Sequence, residues 1–248
     1  MDNVKHRLQV LMCLVCSVSF SHAQKLYYEP VIGTASTVYY GNNLIADSIR
    51  VITSGSDREG IRELRIIGIN VGSSITPRLE LLSNLSFSII NPSYQVYNEQ
   101  STCTFCPVKK SGGQRFTSIQ FGVVPRFTLL SVANLKLIAF IGSSAHFNLR
   151  QSSGYTPISD FNGKWPMVAK VLNAIDAAPG KTFLSFSYGA ALYYKKISLT
   201  VKYAENISNS ITRDLEIDGV SYPFNNDFNR LSVIVGYQFY FRKKGNNN

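Results

Sequence analysis

The sequence predicts an all-β protein: an eight-stranded antiparallel up-and-down transmembrane β-barrel, with short turns at one end and long loops at the other. Three observations predict it. Apolar and polar residues alternate at a period of two through most of the chain, as in strands with two different faces. The links between these segments alternate long and short. Charged residues make up only 16% of the 248 positions while apolar residues reach 45%. A water-soluble domain carries about a quarter charged, so much of this surface is expected to face something other than water.

Residues 1–23 read as a secretory signal peptide. Lys5, His6 and Arg7 form a basic start, Leu8 to Phe20 an apolar stretch, and Ser21-His22-Ala23 a small-residue site with cleavage after Ala23. A lipoprotein reading needs a small residue before the modified cysteine, whereas Cys13 follows Met12 and Cys16 follows Val15. Residues 24–248 are expected to form one barrel domain. They contain no run of about 18 apolar residues that would make a transmembrane helix, and a closed barrel is the other way to satisfy every backbone group in lipid.

The strands follow in order. Tyr28 to Tyr40 supplies the first, with no clear facing. Residues 64–76 set Ile67, Ile69 and Val71 against Gly68, Asn70 and Gly72. Residues 79–97 set Leu81, Leu85, Phe87 and Ile89 against Glu80, Asn84, Ser86 and Ser88, with a bulge expected at Pro92. Ile119, Phe121, Val123, Phe127 and Leu129 oppose Ser118, Gln120, Gly122, Arg126 and Thr128. Leu135, Leu137, Ala139, Ile141, Phe147 and Leu149 oppose Lys136, Gly142, Ser144, His146, Asn148 and Arg150. Residues 183–195 and 197–206 continue the pattern, and 231–242 close it. The long links are 41–62, 98–114, 151–181 and 207–227; the short ones are Pro77-Arg78, Ser131 to Asn134 and Lys195-Lys196. Tight periplasmic turns and long outer loops are the rule in transmembrane barrels, and an even strand count returns both ends to one side. In the third long loop, Pro166 to Ala177 reads as a short helix, with Pro in the first turn and Pro179-Gly180 as the stop. Its apolar face is Met167, Val168, Val171, Leu172 and Ile175. That face could dock a partner helix, lie on a membrane surface or pack over the barrel mouth.

Which face points outward decides between a membrane barrel and a soluble lipocalin-like ligand binder. The polar face is rich in small residues such as Gly68, Gly122, Gly142, Ser185, Ser187 and Gly189, which suit a cramped interior. The apolar face carries Tyr188, Tyr194, Tyr203, Tyr237, Phe239 and Phe241, as interfacial girdles require. The apolar face is therefore expected to meet lipid. The closing strand Leu231 to Phe241, the segment Ile119 to Arg126 and the segment Leu135 to Gly142 resemble the small outer-membrane β-barrel domain family of Gram-negative bacteria, which includes the PorT-like proteins. The resemblance spans nearly the whole mature chain as a pattern. It departs at the end, where Arg242 to Asn248 run past the terminal aromatic that such barrels carry. It implies an outer-membrane location and, for PorT-like proteins, a part in a secretion apparatus.

Cys103-Thr-Phe-Cys106 is the only cysteine pair left after cleavage. A redox motif or half a zinc site would fit the spacing, but an outer loop reached through an oxidising periplasm favours a local disulfide. His146 is the only histidine beyond the signal. An acyl-transfer reading with Ser144 would need an orienting acid and access to substrate, and His146 is expected to be a satisfied interior residue instead. Glu80, Arg126, Lys136, His146, Lys202 and Arg242, with Glu29 a further candidate, should form a polar network inside the lumen, with Glu80 accepting from Arg126 or a neighbouring cation. About eight strands leave an interior that side chains just fill, which disfavours a general diffusion porin.

The net charge of +10 is spread over turns, strand ends and loops rather than gathered into a nucleic-acid-binding stripe. The expected partners are outer-membrane lipid and lipopolysaccharide, together with other envelope or secretion proteins, and no nucleic acid. No cofactor, metal or catalytic residue is expected. The function expected is that of a non-enzymatic outer-membrane barrel with a filled lumen, serving as a scaffold or interaction protein through its outer loops. The alternatives are a PorT-like secretion component, a lipid-modifying barrel enzyme and the soluble ligand binder.

Overall fold

The computed structural model describes residues 25–45, 49–56, 66–90, 92, 94–98, 109–111, 116–150, 166–178, 180–208 and 212–241. Eight strands form the barrel wall: β1 (Lys25–Ile45), β3 (Ile66–Ser74), β4 (Leu79–Ile90), β7 (Phe116–Val132), β8 (Leu135–Arg150), β9 (Phe183–Tyr194), β10 (Ile197–Asn206) and β13 (Asp227–Tyr237). Each pairs antiparallel with the next, and β13 returns to β1 from Gly236 opposite Val31 to Asp227 opposite Tyr40. Closure leaves no wall edge with unpaired backbone groups, the condition for crossing lipid with strands.

The pleat decides the facing that periodicity alone left open for β1. Tyr27, Glu29, Val31, Ala35, Thr37 and Tyr39 are buried, whereas Ile32, Val38 and Tyr40 are exposed. The same sense holds around the barrel. Ile67, Leu85, Phe127, Ile141, Leu199, Val201, Val233 and Val235 face outward with roughly half of their surface exposed, while Ser86, Ser118, Ser144, Ser185 and Ser232 face inward. Aromatic side chains gather toward the turn end of the outer face: Tyr28 stacks on Phe239 at 4.9 Å, and Tyr237 lies 4.8 Å from Phe239.

At one end the wall closes through short turns. Thr76 caps the first by accepting from the backbone N–H of Leu79 at 2.9 Å. The second is Ala133-Asn134, two residues shorter at its start than the segment 131–134, because pairing runs on to Val132 opposite Leu135. Ala133 and Lys195 take the positive φ that two-residue hairpins demand, at 48° and 55°.

At the other end the chain departs from the sequence reading in two places. The segment 41–62 is not a plain link: β1 continues to Ile45 and pairs with β2 (Ile49–Ser56). The segment 79–97 is not one bulged strand. β4 stops at Ile90, and β5 (Tyr94–Asn98) pairs with β2 instead of with the wall. The physical reason is Pro92, which has no N–H to offer a ladder, so the chain changes partners there. β6 (Lys109–Ser111) adds to β5. The closing strand also breaks, at Gln238, and resumes as β14 (Phe239–Tyr240) against β1.

The helix α1 (Pro166–Ala177) forms where its apolar periodicity places it, and it lies beyond the loop end of the wall. Val168, Val171, Leu172 and Ile175 are buried among Ile45, Ile49, Val51, Tyr94 and Val96 from β1, β2 and β5. The small hairpin of β11 (Leu215–Ile217) and β12 (Val220–Tyr222) brings Leu215, Ile217 and Phe224 into the same cluster, and Met167 packs at its margin. The loops thus carry a hydrophobic core of their own above the lumen.

Candidate functional site: a filled lumen

Inward-facing polar positions of different strands converge because a barrel wraps them around one axis. Nearest the turns lies a charged layer. Glu29, only 1% exposed, accepts from Asn70 Nδ2 at 3.0 Å, from Tyr193 Oη at 3.2 Å, and from Ser198 Oγ. Arg126 donates from Nη1 to Tyr193 Oη at 2.5 Å and stands 4.0 Å from Glu29 Oε2. Its guanidinium also packs against the rings of Phe140 and Tyr193. Glu80 accepts from Lys136 Nζ and from Tyr27 Oη at 3.1 Å. Glycine makes the room. A Cβ on Gly236 would lie 2.6 Å from Glu29 Oε1, and one on Gly72 would overlap the Tyr27 ring.

Arg126 therefore does not bond Glu80, although the two are direct cross-strand neighbours on β7 and β4. Lys136 takes Glu80, and Arg126 reaches across the lumen to the Tyr193–Glu29 pair.

The middle of the lumen is neutral and polar on one side. Asn84 Nδ2 donates to Asn70 Oδ1 at 2.6 Å, Ser86 Oγ to Asn84 Oδ1 at 3.1 Å, and Gln120 Nε2 to Ser144 Oγ at 2.8 Å. Ser144 is thus engaged by Gln120. His146 lies between two other hydroxyls: Ser118 Oγ is 3.2 Å from Nδ1 and Ser185 Oγ is 2.8 Å from Nε2. The imidazole stacks on Phe183 at 4.3 Å, and both serines are fully buried. This joins β7, β8 and β9 through one ring, and among the described residues no carboxylate enters the hydrogen-bonded chain.

Toward the loops, Arg230 is a lumen residue that the sequence reading missed, since the closing strand was begun one position later, at Leu231. Its Nε donates to Thr37 Oγ1 at 3.1 Å, Nη1 to Ser88 Oγ at 3.0 Å and Nη2 to the Ile89 carbonyl at 3.2 Å. Among the described residues β3 pairs with β4 only as far as Ser88. Arg230 thus gives the Ile89 carbonyl a donor just past the end of that ladder and ties β13, β1 and β4 together. A layer of Tyr39, Ile90, Phe116, Phe183 and Phe228 covers it, and the α1 cluster lies above.

The remaining expected site residues are placed as follows. Lys202 lines the mid-lumen, apart from the Glu80 and Glu29 groups. Arg242, Cys103 and Cys106, like the signal segment, lie outside the described residues. Among the described residues, no cluster of three or more His, Cys, Asp or Glu side chains could hold a metal ion, and no helix is long and apolar enough to cross a membrane.

No protein-family model and no curated protein matches this sequence. Solved structures do resemble the fold. The outer membrane protein OprG from Pseudomonas aeruginosa aligns over 90% of this chain and 98% of its own, with a TM-score of 0.51 at 5% identity. The outer membrane protease OmpT from Escherichia coli aligns over 88% and 97%, with a TM-score of 0.46 at 11% identity. Neisserial surface protein A aligns over 86% and 97%, with a TM-score of 0.41 at 12% identity. With wall closure, strand count and outward apolar face, the likeness to OprG establishes the fold: a closed eight-stranded antiparallel β-barrel of the outer-membrane type.

Proposed function

We propose that this chain is a non-enzymatic integral outer-membrane protein with a side-chain-filled lumen, acting as a scaffold or interaction protein through its outer loops. The observation that carries the reading is the double closure of the barrel. The Glu29–Arg126–Tyr193 and Glu80–Lys136 groups cross it near the turns. The Phe116–Phe183–Phe228 layer and the α1 cluster cover the loop end. A lumen so filled is a structural post rather than a pore, and the folded loops are then what the protein presents.

The outward band of aliphatic side chains supports residence in a bilayer, since a contiguous apolar belt of that size is unstable in water. In this reading a cleaved signal peptide delivers the chain to the outer membrane, the short turns face the periplasm, and basic side chains meet lipid and lipopolysaccharide phosphates. The buried Ser118–His146–Ser185 arrangement favours a structural over a hydrolytic role. Heat-modifiable gel migration of protein extracted from fractionated membranes tests the first half: a fast unheated band from the outer membrane is expected. Planar-bilayer recording tests the second half, where a steady open conductance from the purified protein would refute the filled lumen.

A second reading, a PorT-like component of a secretion apparatus, is favoured by the platform of β2, β5, β6 and the β11–β12 hairpin, which extends beyond the wall. Such a platform suits a protein partner. Specific co-purification of envelope proteins, with loss of secreted proteins on deleting the gene, is the expected result; an unchanged secreted set would refute it.

A further inference from the structure

The mid-lumen holds a cavity of about 40 Å³. By the measure that a water needs about 10–15 Å³ of such space, it has room for one small ion and its nearest waters. Its lining brings two cations together, Arg126 from β7 and Lys202 from β10, and no acidic side chain. Asn84, Gln120 and Thr200 supply neutral polar groups around them.

Both cations keep donors that the protein does not use. Arg126 bonds Tyr193 through Nη1 and stands 4.0 Å from Glu29 Oε2, but its Nε is buried without a partner. Lys202 forms no hydrogen bond or ion pair among the described residues, and Ser232, its cross-strand neighbour on β13, has a buried hydroxyl without a partner. The nearby Arg230 guanidinium acts on Lys202 as a repelling charge. The two lumen carboxylates are already engaged, Glu80 by Lys136 and Glu29 by Arg126, Tyr193, Asn70 and Ser198. A buried charge left uncompensated is among the costliest features a fold can carry.

We propose that this cavity is a binding site for a small inorganic anion of the halide class, held between Lys202 and Arg126. The anion offsets part of the positive excess left by Arg126, Lys136, Lys202 and Arg230 over Glu29 and Glu80, and joins β7 to β10 across the barrel. A chloride or bromide is small enough for this space, whereas a polyhydroxylated organic anion such as gluconate is several times larger. The site lies within the wall and is independent of what the outer loops bind.

The test uses the full chain in a non-ionic detergent, with sodium gluconate replaced stepwise by sodium chloride at constant ionic strength. The readout is the temperature at which the fast-migrating band is lost. A saturable rise of about 4 °C is expected when chloride reaches ten times its half-saturating concentration, from ligand linkage and the usual temperature sensitivity of a chain of this size. Bromide should match it. Lys202→Met should abolish the chloride dependence while still giving a fast band, and Lys202→Arg should retain it. A wild-type midpoint indifferent to chloride overturns the proposal, as does a Lys202→Met midpoint that follows chloride like the wild type. Should Lys202→Met give no folded band, bromide soaked into wild-type crystals decides: an anomalous peak beside Lys202 Nζ supports the site, and none there overturns it.

Discussion

Replacing Glu29 by Leu should strongly destabilise the barrel. The carboxylate is 1% exposed, with donors from three strands aimed at it and Arg126 at 4.0 Å. Removing it takes the charged acceptor from Asn70 Nδ2, Ser198 Oγ and Tyr193 Oη, although Tyr193 Oη still accepts from Arg126. Hydrogen bonds to a charged group contribute about 1.5–3 kcal/mol each. Breaking a buried ion pair from one side costs about 3–5 kcal/mol, because the other charge stays behind. The two routes overlap rather than add, so a loss of about 3–5 kcal/mol is expected. Arg126→Met should cost a similar amount. The double variant should recover about 1–3 kcal/mol relative to the sum, since neither charge is then orphaned. The assay is urea unfolding of the detergent-folded protein, followed by the fraction of fast-migrating band. A loss below about 1 kcal/mol for Glu29→Leu, or strict additivity in the double variant, would refute the reasoning, because both require a lumen wet enough to screen the pair.

Four further outcomes follow from the same geometry. Val233→Arg, at an outward position 41% exposed between Thr34 and Val201, should cost about 2–4 kcal/mol in lipid vesicles, while Lys195→Gln in the turn should be neutral; equal effects would mean the outer face does not meet lipid. Gly236→Val should lose about 1–3 kcal/mol by overpacking, since its Cβ would meet Glu29 Oε1 and Ser198 Oγ; unfolding as for wild type would show that the lumen has slack. Leu172→Asp, at a fully buried position of α1, should leave the band shift intact but expose the outer loops to added protease on whole cells, and a cleavage pattern like the wild type's would deny that the α1 cluster holds them. His146→Leu should cost about 1–3 kcal/mol by stranding Ser118 and Ser185 with no change in envelope lipid composition; an altered lipid A would instead point to catalysis.

The sequence by itself determined where the eight wall strands lie, which face of each points outward except in β1, and where the short turns fall. These are short-range properties. A period of two fixes which side chains share a face, so Leu231, Val233 and Val235 could be placed together without knowing any partner strand. Likewise the α1 apolar face follows from helical spacing alone. The mouth end was less legible because Pro92 and the β1–β2 hairpin are decided by competition between partners. β5 pairs with β2 only because the upper part of β1 holds β2 in place, and no local pattern records that.

The lumen shows the division most plainly. That Glu80, Arg126, Lys136, His146 and Lys202 point inward was readable from alternation. Which of them meet was not. Glu80 and Arg126 are neighbours by register, yet Lys136 takes Glu80 and Arg126 crosses to Tyr193 and Glu29. Arg230 serves three strands through Thr37, Ser88 and the Ile89 carbonyl, residues 193, 142 and 141 positions away. Alternation sets only the side of a strand on which a residue lies. The tilt and stagger that close eight strands set its height along the axis and its partner across it, and those belong to the tertiary structure alone.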